Sequence, residues 1–542
     1  MASWTQVHSH NGFGTSFERP LGSTELGFYW DSVFRRTADI IRAADVEIEA
    51  TSIERVLAPA TLTRAWTTLK RRYPLMGARI EERSNDEVVF IVEPVTLSTI
   101  NSSEELLVQE ISGGQEVEEV VDRLHNGQSP LSNSLLTCIR ILRRKDRPNL
   151  VHILIHSAHC IADEIAHNTI LRELLQILAN PALSTIETSD DAPLRERLGV
   201  SASTDGLYPF QPGSARSRWR KAISWVILSR RRAGMKGGHS LPRKVTTNTN
   251  FTPAHSRVIS STFSLEDTAK ILEACRNEKL TVGSVLPAVA QVAMARVMAR
   301  RYLQGKMSQK EWDFRKVEPM INAGPLNLRP FLKSAWYESG GATNASLAIG
   351  FYFYQLPFMS LGSAASLLPG SDLPGHLDML SKSRFFYRCQ RMKQSIAEYV
   401  RHPLFCEMNT VFLPARLQRL KGIALDWRSG KVAEIGAPLL SPEDEADEAF
   451  IINHGGATLG NLDSVLPHEY SHPGDSNDNG PALKLLQVRS FLHCRPAELY
   501  LGASTFRHKL KFHIFWDGHA YEDDVVKDWL KELIDSTLVY LT

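Results

Sequence analysis

The stretch NLVHILIHSAHCIADEIAHNTILRELLQILA, residues 149–179, changes its period partway along. Its opening residues are a β-branched, apolar run of strand character, and from Asn168 the apolar positions recur at the three-and-four spacing of an amphipathic helix. Asp163 or Asn168 stands near the helix start, where a short polar side chain caps free backbone N–H groups. His159 lies between strand and helix, four residues before Asp163, among the small side chains of Ser157, Ala158, Cys160 and Ala162. A loop supported by both elements holds a side chain well for chemistry, and small neighbours leave room for a tight turn and a substrate. His159 is therefore the first candidate for a reacting group.

Working outward, the N-terminal third alternates helices and strands. An amphipathic helix is expected over 52–72, ended by Tyr73-Pro74, because the residue before a proline is pushed out of the helical region. LMGARIEE and EVVFIVEP then read as a two-stranded ribbon, and LLTCIRILRR as a further strand. Between about 180 and 254 the pattern dissolves into Pro, Ser, Gly and basic residues, as a crossover between lobes would. A second lobe begins near His255 with the strand HSRVISSTFS, a helix capped by Ser264 with Asp267, and another helix from Thr281. PLLSPEDEADEA and SHPGDSNDNGP read as surface loops, and the chain closes with the strand LKFHIFW and a helix. The expected fold is α/β: two similar lobes, each a mixed sheet covered by helices, with the active-site channel at their interface. The lobes span 1–205 and 255–542, joined by a basic crossover at 206–254.

The chain has 542 residues, too many for one small module. With 62 Lys+Arg against 60 Asp+Glu it lacks the basic excess of a nucleic-acid binder. Six scattered cysteines without a CxxC pair fit a reducing compartment, and the N-terminus has neither signal nor transit character, so a cytoplasmic location is expected. Residues 339–371 carry no charged side chain, yet Asn344, Gln355 and Pro357 interrupt them, and LAIGFYFYQL reads as a buried strand, so no transmembrane segment is expected.

The crossover is unusual in charge. No acidic residue occurs between Asp205 and Glu266, while Arg216, Arg218, Arg220, Lys221, Arg230, Arg231, Arg232 and Lys236 interleave with Trp219, Trp225 and Ile227. A solvated linker helix, a site for the phosphates of a nucleotide-like cofactor and a membrane-surface contact all fit this pattern.

Spacing alone does not single out His159. With 18 histidines, a His-x-x-x-Asp match arises about once by chance, and His513 with Asp517 is a second copy. That copy lies inside an alternating strand with bulky spacers, which reads as packing. His152, His156, His159 and Asp163 would supply zinc ligands on paper, but His152 and His156 share a strand face while His159 lies past its end. No metal is expected. Cys160 beside His159 reads as a buried structural thiol, since sequence neighbours usually point apart.

HCIAD in its strand-loop-helix, the helix ending in RRYPLMGARI, and the helix pair SLEDTAKILEACRNEKLTVGSVLPA resemble the condensation and chloramphenicol-acetyltransferase superfamily, which includes the plant BAHD acyltransferases. FLHCRPAELYLGASTFRHKLKFHIFWDG and INHGGATLGNLDSVLP are similar to fungal enzymes of the trichothecene 15-O-acetyltransferase type. The resemblance implies that His159 is the general base toward an acceptor hydroxyl and that Asp163 shapes the loop. Arg329, in NAGPLNLRPFL, matches the arginine that pairs with this aspartate, and Ser504 or Thr505 would donate to the oxyanion. It further implies acetyl-CoA or another acyl-CoA as co-substrate without a permanently bound cofactor, a hydroxylated apolar acceptor such as a fungal terpenoid, and a monomer. Ala158 and Glu164 depart from the second histidine and the glycine of peptide-synthetase condensation domains.

Overall fold

In the computed structural model, which describes residues 4–8, 15–83, 87–184, 191–210, 213–431, 438–448, 450–471 and 481–542, the apolar run before His159 forms the strand Leu150–Ser157, buried at every position. Burial on both faces follows from its place in the sheet. It lies between Ile40–Ile48 and Thr137–Arg144, antiparallel to both. Leu106–Ile111 extends the sheet in parallel on one side, and Leu483–Leu492 followed by Glu469–Tyr470 extends it on the other. The helix Glu164–Ala179 packs on Pro59–Arg72 over this sheet.

A second six-stranded sheet has the order Ile349–Leu356, Met320–Asn327, Ile452–Asn461, Leu499–Phe506, Lys509–Asp517, Ser256–Thr262. Its central pairings are parallel and its outer ones antiparallel. Leu499, Leu501 and Ala503 point with Leu510, Phe512 and Ile514 into one core, closed by helices Val282–Leu303 and Asp523–Leu541. Ile349, Phe351, Leu459 and Phe506 point the other way and pack against the core of the N-terminal lobe. One face of the second sheet thus meets the N-terminal lobe, and the gap between them is lined from both. A four-stranded sheet flanks the N-terminal lobe and contains the expected ribbon, Arg79–Glu82 with Val88–Val92.

Three expectations need correction. The helix expected over 52–72 is two, Ile53–Leu57 and Pro59–Arg72, because Pro59 lacks an N–H and holds Ala58 extended at φ −58°, ψ 132°. The acidic stretch 438–449 is not all loop. It holds the helix Pro442–Glu448, with Glu443, Asp444 and Glu445 in its first turn where the helix dipole favours negative charge. Residues 472–480 of the turn-rich segment lie outside the described residues. Finally, 255–542 is not one lobe: Leu483–Leu492 leaves it to pair along nine positions with Ile40–Ile48. An alternating strand announces its faces but not its partner, and the N-terminal sheet has a free edge there.

The segment 339–371 supplies the edge strand Ile349–Leu356. Among the described residues one helix, Val282–Leu303, is long and apolar enough to cross a bilayer, and 83% of its most apolar window is buried inside the lobe. The basic crossover contains the helix Ala215–Ala233.

Candidate active site

Asp163 is the cap of the helix Glu164–Ala179, which begins one turn earlier than its apolar pattern does. Its Oδ1 accepts from the Ala166 backbone N–H at 3.0 Å. The same carboxylate takes two hydrogen bonds from the Arg329 guanidinium, at 2.7 and 3.0 Å, and one from the backbone N–H of Ala348 at 3.0 Å. Arg329 donates in addition to the carbonyls of Ser346 and Asn344, at 2.6 and 3.3 Å. Both side chains are buried. Burial alone would raise the carboxyl pKa, but Arg329 and the two backbone donors outweigh it and hold the group below its ordinary value. With four bonds made, Asp163 has no lone pair to offer a substrate. It joins the loop of one lobe to the segment entering the edge strand Ile349–Leu356 of the other.

His159 stands at the far end of that loop. Its backbone N–H donates to Asp39 Oδ1 at 3.3 Å, and its imidazole stacks on Phe28 of the helix Ser23–Val33, with centroids 3.9 Å apart and planes 21° from parallel. Nδ1 is buried and has no hydrogen-bond partner. Burial, reinforced by the nearby Arg495, pushes the imidazole pKa down to about 4 against the pull of Asp163. His159 is therefore neutral at pH 7 and has a lone pair free to accept a proton. Asp39 beneath it is pushed up to about 7 by burial.

Positive charge surrounds the ring. Arg495 lies 5.7 Å from the Phe28 centroid and is held by Asp31 at 2.7 Å and Glu498 at 3.5 Å. Arg416, from the helix Leu413–Arg428, lies 4.3 Å over Phe351 and 5.9 Å from Phe28. Burial and Arg495 push Arg416 down to about 10, which leaves it charged at neutral pH. Phe28, Arg416 and Arg495 come from three segments far apart in the chain, and no local pattern marks any of them.

The other candidates lie elsewhere. Ser504 and Thr505 sit on Leu499–Phe506 and line a cleft of about 580 Å³ with Thr281, Gly283 and Thr458. Ser504 also borders a second opening, of about 360 Å³, between the lobes, with Arg42, Ser490, Lys511 and His513. His513 is on a strand, as expected, yet its ring faces this opening and is not packed in the core. It occupies the space left by Gly502, where a Cβ would come within 1.9 Å of Nε2. His152 is bound to Asp45 at 2.8 Å, and among the described residues no group of three or more His, Cys, Asp or Glu is arranged to hold a metal ion. Cys160 is buried, which raises its thiol well above the ordinary value and keeps it protonated.

Neither a protein-family model nor a curated protein sequence matches the chain. Known structures do. TRI3 trichothecene 15-O-acetyltransferase from Fusarium sporotrichioides superposes with a TM-score of 0.70 at 14% identity, over 100% of this chain and 98% of that one. The epimerization domain from the third module of tyrocidine synthetase B gives 0.57 at 10% identity, over 100% and 98%. The condensation domain of the Monacolin K polyketide synthase MokA gives 0.55 at 11%, over 96% and 97%. The chain has the two-lobed condensation fold. At these identities the likeness speaks for architecture. Within the condensation fold, the loop carrying His159 and the Asp163–Arg329 clamp bridge the two lobes.

Proposed function

We propose that the protein is an acyl-CoA-dependent O-acyltransferase, in the simplest case an acetyltransferase, acting on a hydroxyl of an apolar small molecule such as a fungal terpenoid. One observation carries this reading: a neutral imidazole whose buried Nδ1 has no hydrogen-bond partner stands between the lobes on a loop that the buried Asp163–Arg329 ion pair holds in place.

The steps follow from that arrangement. His159 takes the proton of the acceptor hydroxyl, and the oxygen adds to the thioester carbonyl. The tetrahedral oxyanion collapses, the C–S bond breaks, and the departing thiolate of coenzyme A recovers the proton from the imidazolium. Arg495 and burial disfavour that imidazolium, so the proton is held only briefly. Ser504 or Thr505 is the proposed oxyanion donor, and the cleft they share with the start of Val282–Leu303 is the proposed path of the acyl donor. Phe28 and Phe351 would offer aromatic walls to an apolar acceptor. Asp163 works through position alone.

The test is release of coenzyme A thiol by purified protein, comparing acetyl-CoA, longer acyl-CoAs and carrier-bound acyl groups against hydroxylated terpenoids. Turnover with an acyl-CoA and an alcohol is expected. Turnover restricted to carrier-bound donors, or to amine acceptors, would replace this reading with amide formation.

A further inference from the structure

The helix Ala215–Ala233 turns an unusual face to solvent. Ser217, Ser224 and Leu228 form its buried stripe, the opposite side carries Trp219 and Val226, and Trp225 stands on the flank between; the three are 68%, 50% and 54% exposed. Trp219, Ala222 and Val226 follow one another at helical spacing, i, i+3 and i+7, with Trp225 one step round. Arg216, Arg218, Lys221 and Arg230 are exposed on the same helix, which has no acidic residue.

Docking of the helix onto its own lobe uses Lys221, which lies 5.8 Å over Phe210, and three other side chains, all arginines. Arg220 pairs with Glu407. Arg231 donates to the Phe353 carbonyl at 3.2 Å and lies 4.8 and 4.9 Å over Tyr352 and Tyr399, and Arg232 lies 4.7 Å over Phe412. Arg216, Arg218 and Arg230 make no ion pair with any described residue. Two large indoles left in water among uncompensated guanidinium groups are explained neither by the core nor by solvation of a linker.

We propose that this face is a membrane-docking surface, on which the helix lies in the plane of a bilayer with Trp219, Trp225 and Val226 in the headgroup layer and Arg216, Arg218 and Arg230 against anionic lipid headgroups. Indoles partition to the boundary between headgroups and acyl chains, and unpaired basic side chains on either side of them complement a negative surface. The cavity of about 450 Å³ beside the helix is lined by its Arg216, Ser217 and Arg220 and not by Trp219, Trp225 or Val226, and the apolar row is continuous, as a lipid surface requires. The placement serves the site as well. Arg231 ties the helix to the edge strand Ile349–Leu356, whose Phe351 contacts Phe28, the ring stacked on His159. A docked protein would hold that side of the inter-lobe gap near the bilayer, where an apolar acceptor is most concentrated.

The experiment is co-sedimentation of the full-length protein with vesicles of phosphatidylcholine alone or with about a third phosphatidylserine, at low and high salt. Wild type, Trp219→Ala/Trp225→Ala and Arg218→Gln/Arg230→Gln are compared, with circular dichroism confirming their fold. The expected result is binding to the serine-containing vesicles that weakens with salt. The arginine pair should cost about fivefold per residue removed, and the tryptophan pair at least tenfold. Absence of binding, or binding indifferent to both double substitutions, overturns the proposal. So does a wild-type dimer, without vesicles, that the tryptophan substitutions dissociate, since the face would then bind a second copy. None of these readouts needs turnover, so the outcome is independent of the assigned reaction.

Discussion

Replacing Arg329 by alanine tests the clamp that positions His159. The substitution removes both guanidinium bonds to Asp163 and leaves a buried carboxylate with only the N–H groups of Ala166 and Ala348. The carbonyls of Ser346 and Asn344 lose their donor as well. Breaking a buried pair by removing one partner costs about 3–5 kcal/mol, mostly because the remaining charge is uncompensated. The damage should be local first, since a two-lobed chain of this size need not unfold in one step. Hydrogen exchange read by mass spectrometry on peptides covering 159–168 and 344–350 is the direct assay. A loss of about 3 kcal/mol or more predicts exchange roughly a hundredfold faster there, with little change in the strand Lys509–Asp517. Turnover should fall with it. Arg329→Met combined with Asp163→Asn removes the stranded charge and should recover much of the protection. Exchange within about threefold of wild type in the single variant would refute the argument, because it would mean that the pair carries no net stabilisation.

Three further outcomes follow. Because burial holds His159 at about 4, kcat/KM should stay level from pH 7 down to about 5 and fall near 4, where an ordinary histidine would have lost activity near 6.5; a midpoint near 6.5 contradicts the assigned environment. His125, His167, His239 and His513 at about 3, and His454 and His493 at about 4, lie below their unfolded value of about 6.5. The unfolded chain binds protons that the folded chain refuses. The unfolding free energy measured in urea should therefore drop as pH falls from about 6.5 to 4, by at most about 1.4 kcal/mol per pH unit for each such group, with Asp39 opposing between its unfolded value and about 7. Gly502→Ala places a methyl 1.9 Å from His513 Nε2 and should destabilise by about 1–3 kcal/mol, a loss that adding His513→Ala relieves; equal losses in the single and double variants would contradict the packing.

The legible parts of this molecule are the local ones. Residues 149–179 contain their own strand, loop and helix, so the period change located His159 without any knowledge of partners. Arg329 lies 166 positions from Asp163, and only the resemblance connected them. The break at Pro59 was legible, but the apolar period runs smoothly across it and masked the proline. Nothing in 483–492 tells that this strand belongs to the N-terminal sheet, because alternation encodes faces and leaves pairing to the tertiary fold. Phe28, Arg416 and Arg495 form the surroundings of His159 from three remote segments. Their residue types are common, and only their convergence gives them meaning.

The central claim is that His159 carries the proton and that the second histidine of the same spacing does not. Coenzyme A release measured side by side for wild type, His159→Ala and His513→Ala, with each protein confirmed folded, decides it. The account predicts that His159→Ala loses turnover by about two orders of magnitude or more, while His513→Ala keeps most of it. Full turnover in His159→Ala together with loss in His513→Ala would contradict it.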